Sequence, residues 1–520
     1  MVKILSVFLI SLFLLIPVEA EAGQTETIPV GDEIYEWVYE YIDQLYLRGY
    51  FRELHIGTKP FYRGEIALSI LSLINNIEKK EIQPTETEKW LIQKLENEFS
   101  YEISSMAAKD EDRNELKLGL DFLENAEFPK KEKSNFFEKG LPSLGAQLNT
   151  NFSLLVRYNI DEFLAKDPYY TGKVWNGFAG EANQAYFSFH FRYFDLLLGR
   201  DKLSWGQSKI SSLILSEGSL PFDMLKIQKR WGLFQGTAFA GVLDAINSDE
   251  GRQIKRYFSG HRASFKIRSL AELGVSETVV YGGEDRNLEP YYLNPLFWYH
   301  GAQLNNSNDD NTFICFDFNL TPKRNLLLYG EFLIDDFQIE KKSKSDQEPN
   351  ELGYVAGFLY AFPSKLNGFQ MNLEYDRINN RTYNQKNIWN RYLNRNKLMG
   401  SKLGPNSDNL KGSIEGWLTK NLEAELGYGL LRKGEGSVYT VWEEPWLYAD
   451  GHYKEKFPLG VVEETNELSL KLGYSYDMVL KVNLSLRYAK VTNKNNILNQ
   501  KEDSLDWGLF LQYHFVKHLP

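Results

Sequence analysis

From about residue 150 to the C-terminus, polarity alternates with a period of two in segment after segment. "LSLKLGYSY" sets Leu468, Leu470, Leu472 and Tyr474 against Ser469, Lys471 and Gly473. "LKVNLSLRY" sets Leu480, Val482, Leu484, Leu486 and Tyr488 against Lys481, Asn483, Ser485 and Arg487. "LEAELGYGL" (422–430), "AYFSFHFRY" (185–193), "ICFDFNL" (314–320) and "SLDWGLFLQYHF" (504–515) repeat the pattern. Successive side chains of a strand point to opposite faces, so a period of two means β-strands with one apolar and one polar face. Whatever the chain folds into must give many apolar strand faces a dry neighbour.

A soluble sandwich and an outer-membrane barrel both alternate in this way. Two features separate them. The apolar faces end in aromatics, among them Tyr193, Trp417, Tyr428, Tyr474, Tyr488 and Phe515, which suits the girdles at membrane interfaces. The connections also alternate in length. "TPKR" (321–324), "PSKLN" (363–367), "TKN" (419–421) and "YDM" (476–478) are short, whereas 160–183, 244–260, 282–311, 377–409 and 432–465 are long. Tight turns on one side and long loops on the other are the signature of an outer-membrane barrel. The fold expected is mostly β, an antiparallel outer-membrane barrel of about 16–18 strands with a small α-helical periplasmic domain before it. The last strand closes on the first, leaving no open edge in hydrocarbon. His190, Arg192, Cys315 and Asp317 fall on the polar faces that line a wet lumen.

The N-terminal part follows other rules. Lys3, the apolar run "ILSVFLISLFLLIPV" and Ala20-Glu21-Ala22 mark residues 1–22 as a secretory signal peptide. In residues 23–107 the period is helical. Ile34, Trp37, Val38, Tyr41, Ile42 and Leu45 form one stripe, with Asp32 as N-cap and Gly49 as stop. A second helix fits 64–77, and a third starts at the capping box Thr85/Glu88. "WVYEYIDQLYLRGYF" with "FYRGEIALSIL" resembles one S-layer-homology-like unit. That resemblance implies peptidoglycan as a partner, and a packed helical plug or spacer is the competing reading. Residues 108–140 are charged and mixed and read as a helix and linker, with the barrel occupying 141–520.

Little points to catalysis. There is one cysteine, so an intrachain disulfide and a Cys/His zinc pattern are excluded. G-x-S-x-G and H-E-x-x-H are absent. No catalytic residue, metal or cofactor is assigned. A net charge of −11 without a dense basic stripe argues against nucleic acid.

The segment "LLLGRDKLSWGQSKISSLILSEGSLPFDMLKI" (196–227) is the most distinctive. Gly199 and Gly206 permit tight bends. The apolar "LIL" at 213–215 should fold inward or pack on a neighbour. Pro221 stands where a strand can begin. Its Gly199-Arg200, Trp205-Gly206, Ser216 within a Leu-rich Ser segment, and Pro221-Phe222-Asp223 resemble the hallmark of the Wzi capsule-assembly family.

The resemblance covers about residues 140–515. It implies an outer-membrane barrel of about eighteen strands, without enzymatic activity, that holds capsular or exopolysaccharide at the cell surface. Three long loops carry groups suited to sugars: "PYYLNPLFWYH" (290–300), "NIWNRYLNR" (387–395) and "VWEEPWLYADGHY" (441–453). Trp298, Tyr299, Trp389, Tyr392, Trp442, Trp446 and Tyr448 offer ring faces for stacking. Arg391, Arg395 and Lys397 offer charge to anionic sugars. The competing reading is that these aromatics pack the loops shut. The expected partners are surface polysaccharide, outer-membrane lipid, and the barrel-assembly machinery through the C-terminal strand. The alternative function is a porin-like channel for small solutes, distinguished by an open pore.

Overall fold

Eighteen strands, each antiparallel to its neighbours, close into one barrel in the computed structural model. The structure describes residues 25–80, 82–108, 114–129, 134–149, 151–248, 251–306, 309–338, 343–344, 347–363, 368–477 and 479–519. The expected signal peptide lies outside them. The first six strands are β1 Glu115–Pro129, β2 Asn135–Leu148, β3 Phe152–Asp161, β4 Ala179–Phe191, β5 Phe194–Asp201 and β6 Phe222–Trp231. Then come β7 Phe234–Asn247, β8 Gln253–Ile267, β9 Ala271–Gly283, β10 Asn311–Lys323, β11 Leu326–Asp336 and β12 Glu351–Ala361. The last six are β13 Gln370–Ile378, β14 Ser407–Thr419, β15 Leu422–Lys433, β16 Glu463–Tyr476, β17 Leu480–Thr492 and β18 Lys501–Leu519.

Each strand pairs with the next in sequence, and β18 closes on β1 with Leu120 opposite Phe515 and Phe122 opposite Tyr513. At that seam the rings of Phe128 and Trp507 stack 3.8 Å apart. The long loops lie at one rim and most short turns at the other, but the long connection expected over 244–260 is largely strand, because β7 runs to Asn247 and β8 starts at Gln253. The outer wall carries the apolar residues of the alternation. Leu468, Leu484, Tyr488, Trp507 and Phe515 are all exposed there, as a wall facing lipid requires.

Three further sequence expectations are corrected. Residues 115–129 and 135–140 are strands, not helix and linker, so the barrel begins before residue 141. Their charge misleads because it belongs to the lumenal face. Lys117 Nζ meets Glu26 at 3.0 Å and Asp121 meets Arg157 at 2.9 Å, while Leu118, Leu120 and Phe122 point outward. Trp417 is not a girdle residue. It lies on the parity opposite the outward Leu410 and Ile414, and packs edge-on to Trp90 and Tyr41 inside the barrel.

The helices do not form a separate body below the barrel. They are α1 Glu36–Leu47, α2 Arg63–Glu78, α3 Glu86–Glu98 and α4 Ser100–Ala108, and they sit in the lumen. Asp32 Oδ1 accepts from Ile34 N at 2.9 Å ahead of α1, and Gly49 follows it at φ +99°. The capping box of α3 is present as read, with Thr85 and Glu88 exchanging both bonds.

Strand side chains hold this plug from many sides. Thr27 N donates to Tyr186 Oη (2.8 Å), and Tyr46 Oη donates to Asn319 Oδ1 (3.2 Å). Ile56 N donates to Glu272 (3.1 Å), and Arg324 Nη2 donates to Glu88 (2.8 Å). The apolar stripes of α1 and α2 share one core with the inward Leu155, Tyr186, Phe239, Phe258, Phe313 and Leu327.

Candidate functional site

The 202–221 segment leaves β5 and turns into the lumen. Ser204–Trp205 pair with Thr58–Lys59 of the plug as a two-residue antiparallel ribbon, and Gly206 N donates to Gly57 O at 3.0 Å. The plug and the inward loop thus meet inside the barrel. Leu213, Ile214 and Leu215 are fully buried there, as an apolar loop segment requires. Two glycines make the path possible. Gly199 has φ +133° and a Cβ would stand 2.2 Å from Ala185 O; Gly206 has φ +135° and a Cβ would stand 2.3 Å from Glu331 Oε1.

Two lumenal carboxylates grip the turn. Glu331 of β11 accepts from the backbone N–H of Gln207 (2.6 Å), Ser208 (2.7 Å) and Leu213 (2.7 Å). Glu374 of β13 accepts from Lys209 N (2.8 Å), Ser208 Oγ (2.7 Å) and Tyr329 Oη (2.7 Å). Lys209 Nζ reaches Asp43 of α1 at 2.7 Å. Behind them, Arg262 binds Asp317 through both nitrogens (2.5 and 2.9 Å) and Thr58 Oγ1 through Nε (2.9 Å). Alternation places these carboxylates in the lumen, but no motif announces that they cap a loop.

The hallmark residues therefore build a closure. Arg200 and Asp223 pair across the base of the segment (2.8 and 2.9 Å). Phe222, Phe239 and Phe258 cluster with centroids 5.0–5.4 Å apart, and Trp205 adds to them at 5.3 Å. Ser216 N donates to Met399 O (2.9 Å), and Ser219 N to Ser216 O (3.1 Å). Pro221 enters β6 at a position that needs no ladder donor.

The 379–406 loop covers this closure. Tyr383 Oη donates to Leu213 O (2.6 Å), and Tyr392 Oη to Ile214 O (2.7 Å). Both side chains are completely buried, and burial pushes both phenols well above their ordinary pKa. Arg256 holds the turn above them, donating to Trp389 O (2.7 Å) and Arg391 O (2.8 Å).

The sequence-predicted loop residues divide into two groups. Tyr299, Tyr392 and Trp446 are at most 2% exposed, so a glycan does not reach them in this arrangement. Tyr299 Oη bonds Tyr292 O (3.1 Å), and Arg381 lies 4.9 Å over the Trp446 ring. These three obey the packing reading. Arg395 is bound through both terminal nitrogens to Glu181, and Lys397 meets Asp167 at 3.3 Å, so their charges are already used.

Trp298 is 60% exposed and Tyr448 84%, while Trp389 and Trp442 are half-buried. Arg391 is half-buried, donates to Thr440 O at 3.3 Å, and has no carboxylate partner among the described residues. Burial draws its pKa below the usual arginine value. Sequence reasoning missed Tyr169, Val174 and Trp175 in "DPYYTGKVWNGF" and Tyr439 just before the third loop, all openly exposed. Their signal was available, since the stretch is as aromatic as the three loops singled out. Tyr439 Oη donates to Asn396 O (2.7 Å), which ties this group to the 379–406 loop.

Below the rim, the helices and the inward segment leave one side of the lumen unfilled. A cavity of about 510 Å³ runs along the inner faces of β14–β18. It is crossed by ion pairs of Arg487 with Glu467 (2.6 Å) and Asp506 (3.5 Å). Deeper in the lumen, Tyr41, Trp90 and Trp417 pack ring to ring.

An outer-membrane β-barrel with a helical plug, an inward closing segment and an exposed aromatic rim is the class defined by these features. The family model for the capsule assembly protein Wzi matches residues 85–506, and the chain belongs to that family. Among solved structures, Wzi of Escherichia coli superposes with a TM-score of 0.62 at 15% identity, covering 94% of this chain and 100% of that one. That protein is described as an outer membrane protein involved in group 1 capsule assembly and a carbohydrate-binding β-barrel. OccD3 of Pseudomonas aeruginosa gives 0.45 at 10% identity, covering 77% and 91% of the two chains. OpdK of the same organism gives 0.47 at 10%, covering 79% and 99%. No match is found among curated proteins.

Proposed function

We propose that the chain retains a capsular or extracellular polysaccharide at the cell surface without acting on it chemically. In this reading the long-loop rim faces outward and the short turns and plug entrance face the periplasm. The observation that carries it is the rim itself. Trp175, Trp298, Tyr439 and Tyr448 hold open ring faces above a lumen filled by the helices and the inward segment. Exposed aromatics with polar tips stack on sugar rings and bond their hydroxyls. Arg391, without a carboxylate partner among the described residues, suits an acidic sugar. Terminal strand β18 is the segment offered to the assembly machinery. The solvent-facing residues of α2 and α3 are the candidate peptidoglycan contact.

The test is binding of the refolded barrel to polysaccharide purified from its own cells. Saturable binding that unrelated polysaccharides do not compete supports the reading. A folded, heat-modifiable barrel that binds nothing overturns it, and the porin-like alternative is then tested by conductance in a planar bilayer.

A further inference from the structure

A second cavity, of about 950 Å³, lies outside the barrel at the long-loop rim. Its position follows from register. Arg432, Glu464 and Thr492 stand side by side on β15, β16 and β17 with outward parity. Two positions below them come Leu430, Asn466 and Lys490, and two below that the exposed Tyr428, Leu468 and Tyr488. Four residues of strand rise about 13 Å, or about 10 Å along the membrane normal after tilt. The cavity therefore opens directly above the lipid-facing band, at headgroup height and beyond. A simple phospholipid headgroup layer is only about 6 Å deep per side, so the height favours a headgroup built on sugars.

The loop that roofs the cavity is fixed. Arg377 lies 3.8 Å over the Phe457 ring from the outer face of β13. Leu459 N donates to Asn406 Oδ1 (2.7 Å), and Asn493 Nδ2 donates to Val462 O (2.9 Å). Glu455 turns away to Arg381 (2.9 and 3.0 Å), which leaves its neighbours Lys454 and Lys456 exposed. Among the described residues, neither these two lysines nor Lys490 has an ion-pair partner. Arg432 is balanced by Asp408 (2.8 Å), and Glu464 takes the Asn466 amide (3.0 Å). Lysines without carboxylates beside the apolar Phe457 and Pro458, directly over a lipid wall, match an acylated anion.

We propose that this outer cleft seats the phosphorylated sugar headgroup of an outer-leaflet glycolipid. Its phosphate meets Lys454, Lys456 and Lys490, and its acyl chains descend over Leu430, Tyr428 and Tyr488. The site is distinct from the aromatic rim. It rests on the outward orientation of the long loops and not on the glycan reading.

The test is native mass spectrometry of the purified full barrel with three probes: diphosphorylated lipid A, its dephosphorylated form, and phosphatidylglycerol. The expected result is at least about tenfold greater retention of the diphosphorylated probe than of either other. Lys454→Gln/Lys456→Gln/Lys490→Gln should abolish the difference while heat-modifiability is unchanged. Equal retention of the dephosphorylated probe or of phosphatidylglycerol by the unmodified barrel overturns the proposal, whether or not the variant folds. So does displacement of lipid A by lipid-free surface polysaccharide, which would make the cleft a glycan site. These lipid arms need no polysaccharide, so their failure is separable from failure of the rim to bind.

Discussion

Replacing Glu331 should open the inward segment without unfolding the barrel. Its carboxylate is the common acceptor for the N–H groups of Gln207, Ser208 and Leu213. Gln207 and Leu213 are buried, at 3% and 0% exposure, and Ser208 is half-buried. Glu331→Ala leaves two fully buried donors without partners. Each costs about 1–3 kcal/mol, so the inward conformation loses about 2–6 kcal/mol before water enters the space. At 1.4 kcal/mol per decade, that shifts the balance between inward and released loop by roughly one and a half to four orders of magnitude. Glu331→Gln grades the effect. Its remaining oxygen keeps Gln207 and Ser208, while its NH2 faces Leu213 N, so one of the two buried donors is left without a partner and about half of the loss is expected. The assay is limited proteolysis across 202–221 together with single-channel conductance. The Ala variant should be cut within the loop and conduct, the Gln variant should fall between, and the unmodified barrel should do neither. Heat-modifiability should stay the same in all three. An Ala variant as protected and as silent as the unmodified barrel would refute the reasoning, because the loop would then be held by its apolar contacts alone.

Trp298→Ala and Trp175→Ala should each weaken polysaccharide binding about tenfold through lost stacking, with an unchanged melting profile. Trp446→Ala and Tyr392→Phe should do the reverse, loosening the loops to protease and leaving glycan affinity nearly unchanged. Arg391→Ala should reduce binding most at low salt if the glycan is acidic, whereas Arg395→Ala should expose the loop paired through Glu181; isothermal titration at two salt concentrations separates them. Burial, with Asp336 adding to it, pushes the Glu348 carboxyl up to about 7 against the opposing pull of Arg381. The folded loop then binds the proton more tightly than the unfolded chain, so its stability is highest in mild acid and falls as pH rises from 4.5 to about 7. Proteolysis near 348 should increase across that window, and Glu348→Gln should flatten the profile.

The barrel was legible because its two signals, period and loop length, are local and repeated. Where they failed, the cause was tertiary. β1 and the start of β2 read as linker because lumenal pairing with Glu26 and Arg157 accommodates charges that look solvent-bound in sequence. Trp417 read as girdle because one aromatic looks like another until parity is fixed by its neighbours. The loop site was half legible. Aromatic density marks where rings gather, but not which of them pack inward. Trp298 and Tyr299 are adjacent in the chain, and one is 60% exposed and the other 1%.

That division bears on what the family hallmark does. Trp205 and Gly206 meet the plug, Trp205 and Phe222 pack on Phe239 of the wall, Ser216 is held by Met399 of the covering loop, and Arg200 and Asp223 tie the base of the segment. None of these residues belongs to the exposed aromatic rim. A motif built for closure constrains the scaffold, and in the proposed function the sugar contacts would then fall to loops outside it, such as 162–178 and 434–462. Exchanging those two loops for ones of different aromatic and charge content should therefore change which polysaccharide is retained while the barrel stays silent in a bilayer. An exchange that opened the pore would show that rim and closure are one unit, and the hallmark would then have to be counted among the determinants of the glycan.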